Sequence, residues 1–333
     1  VVGRDRRAAA TAARLDRWQV LAAEQAGVVA RRQLLELGYG EGQVGALLDR
    51  HRWDAVRPGV YLTFGGEPAP QAKAWAALLA AGPGAALGGT TALWLCGVLP
   101  DPPDVVTVCI PDDRHVVAGT GVRVVRRRRL DDVVHPSASP RRLRLEPALL
   151  DATDTPSSVT LIDLVLRATN SRRTTPARVL LALAGRSRHR HRMLLHEVLG
   201  EAAEGVGSAL ERRYLRTVER PHGLPRGRRN RQERRTDGPT GLARNRYRDV
   251  EYGILVVELD GLEAHARWAL HLDRRRDNSV ERSRRRSLGF GWREVLEDPC
   301  WVAAEVADVL AQEGWTGHPT PCAPTCRFGT PSS

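Results

Sequence analysis

The residues with the clearest capacity for chemistry are three carboxylates in one short stretch, Asp249, Glu258 and Asp260, with Glu211 upstream and His265 downstream. Glu258 and Asp260 follow the apolar run Ile254-Leu-Val-Val257, whose β-branched character reads as a strand. Side chains alternate along a strand, so these two point to one face, about 7 Å apart. Asp249 lies on a preceding segment that turns near Tyr252-Gly253 and pairs antiparallel with the strand. Its carboxylate is thereby carried towards the end of the same sheet. Carboxylates gathered at one strand edge repel each other unless a cation or proton offsets them. Hard oxygen donors suit Mg²⁺ (or Mn²⁺), with Asp249, Glu258 and Asp260 as ligands. Such an ion generates hydroxide and stabilises the leaving oxygen of a phosphodiester.

A phosphate-bearing partner is what the charge pattern asks for. From Arg226 to Arg248 there are nine arginines against Glu233 and Asp237, a local +7 that includes Arg226, Arg228, Arg229, Arg231, Arg234 and Arg235. With Gly227, Gly238, Pro239 and Gly241 interspersed, the stretch reads as mobile rather than helical. Across all 333 residues, 51 basic side chains face 39 acidic ones, for a net +12, and Lys73 is the sole lysine. Codon drift exchanges lysine for arginine but does not create a surplus of positive charge. That surplus favours a polyanion, DNA first. Hydrophobic content of 42% with 27% charged excludes wholesale disorder. No run reaches the roughly 18 apolar residues of a membrane span. Five scattered cysteines imply no disulfide framework, and the expectation is a cytoplasmic protein.

Two further patterns touch on metal binding. Cys322 and Cys326 have the spacing of half a zinc site, but no second half is spaced in the sequence to complete it. In Arg186 to Arg192 histidine and arginine alternate, and the neighbouring cations repel a metal. Neither is expected to be a metal site.

These residues depend on elements that the apolar periodicity outlines. Residues 14 to 65 read as three short helices and a hairpin: Leu15, Trp18 and Ala22, then Leu34, Leu35 and Leu37, then Val44, Leu47 and Leu48, followed by a β-ribbon around Pro58-Gly59. That order is a winged helix, whose third helix presents Gln43, Asp49 and Arg50 outward, with Arg52 and Arg57 near the wing. A three-helix docking module fits the same pattern. Residues 68 to 200 read as a mixed α/β scaffold, with helices over Gln71 to Ala81, Thr91 to Gly97, Leu161 to Ala168 and Ala177 to Leu183 and strands over Val105 to Ile110 and Gly121 to Val125. The second strand ends in four arginines, Arg126 to Arg129, either a phosphate contact or solvated charge. A third domain spans 205 to 313. It opens with the capping-box pattern Ser208-Ala-Leu-Glu211, continues through a polar helix from about 267 and a strand over Leu288 to Phe290, and closes with a helix started by Asp298-Pro299. Residues 314 to 333 form a tail expected to wrap the surface.

Several of these motifs occur together in a known family. Ser208-Ala-Leu-Glu211, His222-Gly-Leu-Pro225, Arg246-Tyr-Arg-Asp249-Val250, Val256-Val-Glu-Leu-Asp-Gly261 and His265 resemble the Vsr-like branch of the PD-(D/E)XK nuclease superfamily. The likeness continues in Arg276-Asp-Asn278, Phe290-Gly-Trp292, Pro299-Cys300, Gly314-Trp-Thr-Gly317 and Pro321-Cys322-x3-Cys326. Leu47 to Tyr61, with Arg57-Pro-Gly-Val-Tyr61, resembles the winged-helix domain of AbiEi-type antitoxins from type IV toxin-antitoxin systems. The resemblance implies an α/β multi-domain chain: a winged helix, a mixed α/β middle and a restriction-endonuclease-like α/β/α sheet. It also implies that Asp249 and Glu258 ligate the metal and that Glu211 joins the acidic set, although Glu211 is equally the N3 glutamate of its capping box. Asp260 stands where many superfamily nucleases carry lysine, so proton transfer falls to His265 or a metal-bound water. The stretch from Asp249 to Glu258 is shorter than usual for the branch, and Gly289 replaces an expected larger residue.

Three readings result. The first is a Mg²⁺-dependent DNA endonuclease guided by a winged helix. The second is an antitoxin-like transcriptional regulator whose nuclease fold is inert. The third is an interaction protein whose winged helix grips a cognate toxin.

Overall fold

The computed structural model describes residues 17–51, 53–155, 157–204, 209–235, 244–253, 255–260 and 286–329; at 51, 159, 201–204, 209, 230–235, 244–249 and 260 the description is of the backbone. The architecture is mixed α/β, with small sheets and many short helices. The chain divides into two compact units, Val1–Ala152 and Thr153–Ser333. No helix among the described residues is long and apolar enough to cross a membrane.

In the first unit, α1 (residues 17–24), α2 (Arg31–Glu36) and α3 (Glu41–His51) surround one face of a three-stranded antiparallel sheet. Its strands are β1 (Val28–Ala30), β2 (Asp54–Arg57) and β3 (Val60–Leu62), in the order β1-β3-β2. Trp18, Leu34, Val44, Leu47, Trp53 and Tyr61 form that core, with Trp18 edge-on to Trp53 at 4.8 Å. On the other face Val28, Ala30, Val60 and Leu62 meet Ala72, Ala76 and Leu79 of α4 (Pro70–Ala81). The three expected helices and the ribbon are present, but β1 is an addition. Its three residues are too few to display the alternation that marks a strand. Beyond α4 come β4 (Ala86–Leu87), α5 (Gly89–Leu95), β5 (Val106–Pro111) and β6 (Val122–Arg127), in a sheet of order β4-β5-β6. The helix α6 (Leu145–Thr153) follows.

The second unit begins with α7 (Ser158–Asn170), α8 (Pro176–Ala184) and α9 (Arg192–Glu204). The helix α10 (Ala209–Tyr214) then runs into a π-helical turn, Leu215–Glu219. A four-stranded sheet follows, made of β7 (Arg228–Arg235), β8 (Arg244–Tyr252), β9 (Leu255–Asp260) and β10 (Arg286–Gly291), in the order β10-β9-β8-β7. The outer pair β10 and β9 is parallel and the others are antiparallel. The unit closes with α11 (Trp292–Glu297) and α12 (Pro299–Gln312). Asp298 caps α12 as its sequence predicts, accepting from the Trp301 N–H at 2.8 Å with Pro299 in the first turn. The buried side of α12 carries Val302, Val306 and Leu310, each worth about 1.5–3 kcal/mol of burial.

The arginine-rich stretch requires a correction. Its described residues are not a loop: Arg228–Arg235 and Arg244–Tyr252 form an antiparallel ladder. Gly227 misleads because it precedes β7, where a Cβ would lie 2.2 Å from Val250 Cγ1, so glycine is there for close approach. Gly238, Pro239 and Gly241 fall between the two strands, outside the described residues.

Candidate functional site

The acidic residues sit on the β8–β9 hairpin. Val250 pairs with Val257, Glu251 with Val256 and Tyr252 with Leu255, so the chain reverses within two residues. Gly253 takes φ 68° there, the left-handed value that a two-residue hairpin turn demands. Asp249 and Glu258 are the positions immediately beyond the Val250–Val257 pair, one on each strand. The antiparallel placement expected for Asp249 is therefore the backbone arrangement found. On β9, Leu255 and Val257 are fully buried, whereas Glu258, on the alternate face, is half-buried. Across the parallel pairing Gly289 lies opposite Glu258 and Gly291 opposite Asp260. Among the described residues, a Cβ at Gly289 would meet nothing within 4 Å. His265 lies outside the described residues. Glu211 is half-buried in the first turn of α10, and its capping partner Ser208 is outside the described residues. Sequence reasoning passed over Glu251, which is buried and shares a face with Glu258 through its pairing with Val256.

The arginines divide into committed and uncommitted groups. Arg226 and Arg228 are exposed. Arg229 instead turns inward to the carboxylate of Glu219 at 2.6 Å. The same Oε2 accepts from the Tyr252 hydroxyl at 2.7 Å and the Gly227 N–H at 3.3 Å, and Tyr214 reaches Tyr252 at 3.2 Å. Glu219 is 3% exposed, so this is an internal ion pair that ties β7 and β8 to the π-helical turn. Burial pushes both tyrosine hydroxyls above their usual range. Arg231, Arg234 and Arg235 are placed by register on β7, with Arg231 opposite Arg248 and Arg235 opposite Arg244.

In the first unit Gln43, Asp49 and Arg50 are exposed on α3 as expected. The Gln43 side chain is partly spent, its Oε1 accepting from the Gly40 N–H at 2.9 Å. Arg57 is half-buried and donates to the Thr120 carbonyl at 3.1 Å, and burial lowers its pKa. Arg52 lies outside the described residues. In the arginine quartet, Arg127 pairs with Asp151 at 2.6 Å and Arg128 with Asp112 at 3.1 Å. His191 Nε2 lies 2.6 Å from the Thr155 carbonyl oxygen, and His189 Nε2 lies 3.4 Å from the Thr153 hydroxyl.

The second half that the sequence does not show for the cysteine pair is supplied in space. Cys322 and Cys326 have a second half, made of His222 on the turn after the π-helical segment and Cys300 in the first turn of α12. The four ligand atoms lie within 4.8 Å of one another. Cys300 Sγ stands 3.4 Å from His222 Nε2 and 3.5 Å from the sulfurs of both Cys322 and Cys326. His222 is fully buried, with Nδ1 2.8 Å from the Val218 carbonyl oxygen and its ring edge-on to Phe328 at 5.5 Å. Burial, reinforced by hydrogen bonds with Cys322 and Cys326, pushes the Cys300 thiol up to about 12. Burial also opposes ionisation of Cys326, but the Phe328 and Cys322 backbone and the neighbouring thiols outweigh it and bring that thiol down to about 6. The donor set could hold a metal ion, and it is built from sulfur and nitrogen rather than carboxylates.

No family model matches the chain. No curated protein matches it either. Among solved structures, the RV2827C protein from Mycobacterium tuberculosis is similar at 19% identity over 55% of this chain and 74% of that one, with a TM-score of 0.36.

Proposed function

We propose that the chain is a metal-dependent DNA endonuclease whose phosphodiester chemistry belongs to the β8–β9 hairpin, with the three-helix and ribbon region of the first unit acting as a winged-helix DNA reader. The observation that carries this reading is the hairpin register, which brings Asp249 and Glu258 to neighbouring positions on adjacent strands. The donor chemistry fits a hard cation: Glu258 supplies a half-buried carboxylate, and Asp249 and Asp260 flank it on the backbone. These three would hold Mg²⁺, which when bound supplies charge stabilisation at the phosphate and acidifies a water.

The protein's own part is positioning. Arg226 and Arg228, exposed ahead of and on the edge strand β7, are placed to hold a phosphate backbone. Arginine opposite arginine destabilises an isolated ladder, and a bound polyanion offsets that repulsion. In the reaction water adds to phosphorus, the bond to the leaving sugar oxygen breaks, the water's proton passes to a base for which His265 is the candidate, and the leaving oxygen takes up a proton from solvent.

The test is nicking of supercoiled plasmid with Mg²⁺ or Mn²⁺ by the wild type and Glu258→Ala, with an EDTA control. Nicking that disappears in the variant and in EDTA supports the reading. Absence of nicking together with a salt-sensitive gel shift would replace it with the DNA-binding regulator, which the exposed Asp49 and Arg50 of α3 favour.

A further inference from the structure

We infer that His222, Cys300, Cys322 and Cys326 bind one Zn²⁺ in a closed Cys3His site that staples the C-terminal tail to the turn after the π-helical segment and to the start of α12. This site is separate from the carboxylate hairpin and does not depend on the nuclease reading.

The geometry argues for a single ion. Tetrahedral zinc, with bonds of about 2.3 Å to sulfur and 2.0–2.1 Å to nitrogen, needs sulfur–sulfur edges near 3.8 Å and nitrogen–sulfur edges near 3.6 Å. The contacts around Cys300, at 3.4 and 3.5 Å, need to open by only tenths of an ångström. They are far longer than the roughly 2.05 Å of a disulfide. Cys300 is equidistant from Cys322 and Cys326, which suits a shared ion better than one preferred sulfur partner.

The histidine is independent support. With Nδ1–H donating to the Val218 carbonyl, the lone pair on Nε2 is turned towards the sulfurs. That tautomer and that backbone acceptor are what orient metal-ligating histidines. The ring is wholly buried, so its orientation is fixed by the fold rather than by solvent. Thiolates and imidazole select a soft or borderline cation over Mg²⁺. Four protein donors fill the tetrahedron and leave no position for water, so the site is structural rather than hydrolytic.

The tail shows what the ion would do. From Trp315 to Gly329 there is no helix or strand, and most of its residues are exposed or half-exposed, yet Cys326 is buried. Its direct ties to the His222 turn include the Thr320 N–H to the His222 carbonyl at 2.9 Å and the Thr320 hydroxyl to the Pro221 carbonyl at 3.2 Å. A segment without a core of its own needs a covalent or metal staple to hold one conformation.

The test uses the full chain purified under reducing conditions. Metal analysis is expected to give one zinc per chain, retained through gel filtration. Metal-free protein titrated with Co²⁺ should develop the visible absorption of tetrahedral thiolate cobalt, which Zn²⁺ then displaces. Zn²⁺ should slow alkylation of Cys300, Cys322 and Cys326 at least tenfold while leaving Cys96, outside the cluster, unchanged. Cys322→Ser, at an exposed position, should remain folded and lose at least a hundredfold in zinc affinity. Wild-type protein without stoichiometric zinc, whose three thiols react at one rate with and without added Zn²⁺, would overturn the inference. So would a cobalt spectrum lacking thiolate character.

Discussion

The acidic hairpin, proposed above as a cation site, and the Cys/His cluster both belong to the second unit, yet they are assembled in opposite ways. Asp249, Glu258 and Asp260 are gathered by one hairpin, so strand alternation and a two-residue turn suffice to bring them together. His222, Cys300, Cys322 and Cys326 come from a turn, a helix start and an irregular tail, and they meet only because those three segments converge. The first set is hard, and its one described side chain, Glu258, is half-buried. The second is soft, includes the fully buried His222, and gathers four donor atoms. A hard set suits a reaction, and a closed soft set suits a fold.

The largest expected effect separates the two. Glu258→Ala should reduce nicking by roughly a thousandfold or more, since loss of a metal ligand removes several kcal/mol of charge stabilisation and each 1.36 kcal/mol is a factor of ten. The same variant should keep its full zinc content, measured by metal analysis. Loss of zinc in that variant would mean that the two sets are one coupled system. EDTA alone does not separate them, because it removes both ions; adding back Mg²⁺ or Zn²⁺ singly does.

Next in size is Glu219→Ala, which removes the acceptor shared by Tyr252, Arg229 and the Gly227 N–H. Leaving Arg229 without its carboxylate should cost about 3 kcal/mol in urea denaturation, towards the lower end for a broken buried pair because that arginine side chain is 24% exposed. An effect below about 1 kcal/mol would show that β7 and β8 are held to the helical side by packing alone. Zinc removal comes after it. At a free zinc concentration a hundred times the dissociation constant, a site on the native state alone adds about 2.7 kcal/mol. For a unit of this size that corresponds to a Tm lowered by roughly 5–10 °C in the metal-free protein, read by calorimetry.

What the sequence reveals follows the same division. The three helices and ribbon of the first unit are legible because Trp18, Leu34, Val44 and Leu47 recur at helical spacing, and the acidic hairpin is legible because Gly253 marks its turn. Even the start of α12 is readable from Asp298-Pro299, which fixes where Cys300 sits on its helix. No local pattern shows that this helix start lies beside His222, because that proximity is set by the packing of α12 and not by spacing. The diversion of Arg229 is hidden for the same reason, its partner Glu219 being on the preceding helical turn. Among the described residues, β1 and β4 escape by shortness, with three and two residues.

A smaller effect comes from the tyrosines of the Glu219 network. Burial first, and then the neighbouring hydroxyl and carboxylate, raises Tyr252; burial also raises Tyr214. The unfolded chain releases these protons near pH 10, whereas the folded chain keeps them. The unfolded state then binds fewer protons, so stability is intact below about pH 10 and falls above it, by up to about 1.4 kcal/mol per pH unit for each tyrosine. Urea midpoints measured on either side of pH 10 should show this decline, and Tyr214→Phe should flatten it. A wild-type profile that stays level through that range would mean that the network opens to solvent.

The smallest effect tests the first unit, where two arginines of one DNA-reading proposal stand in different situations. Arg50 is exposed on α3, and Arg57 is half-buried with its guanidinium on the Thr120 carbonyl. A phosphate contact releases counterions, so losing one lowers the slope of log affinity against log salt by about 0.9. Arg50→Ala should show that change in a fluorescence titration over low to moderate salt. Arg57→Ala should leave the slope unaltered and instead loosen the hairpin, because a side chain spent on a carbonyl is not available to a phosphate. Equal slopes for Arg50→Ala and the wild type would place the basic contact surface on the β7–β8 ladder alone. The first unit would then be read as a docking module rather than a DNA reader.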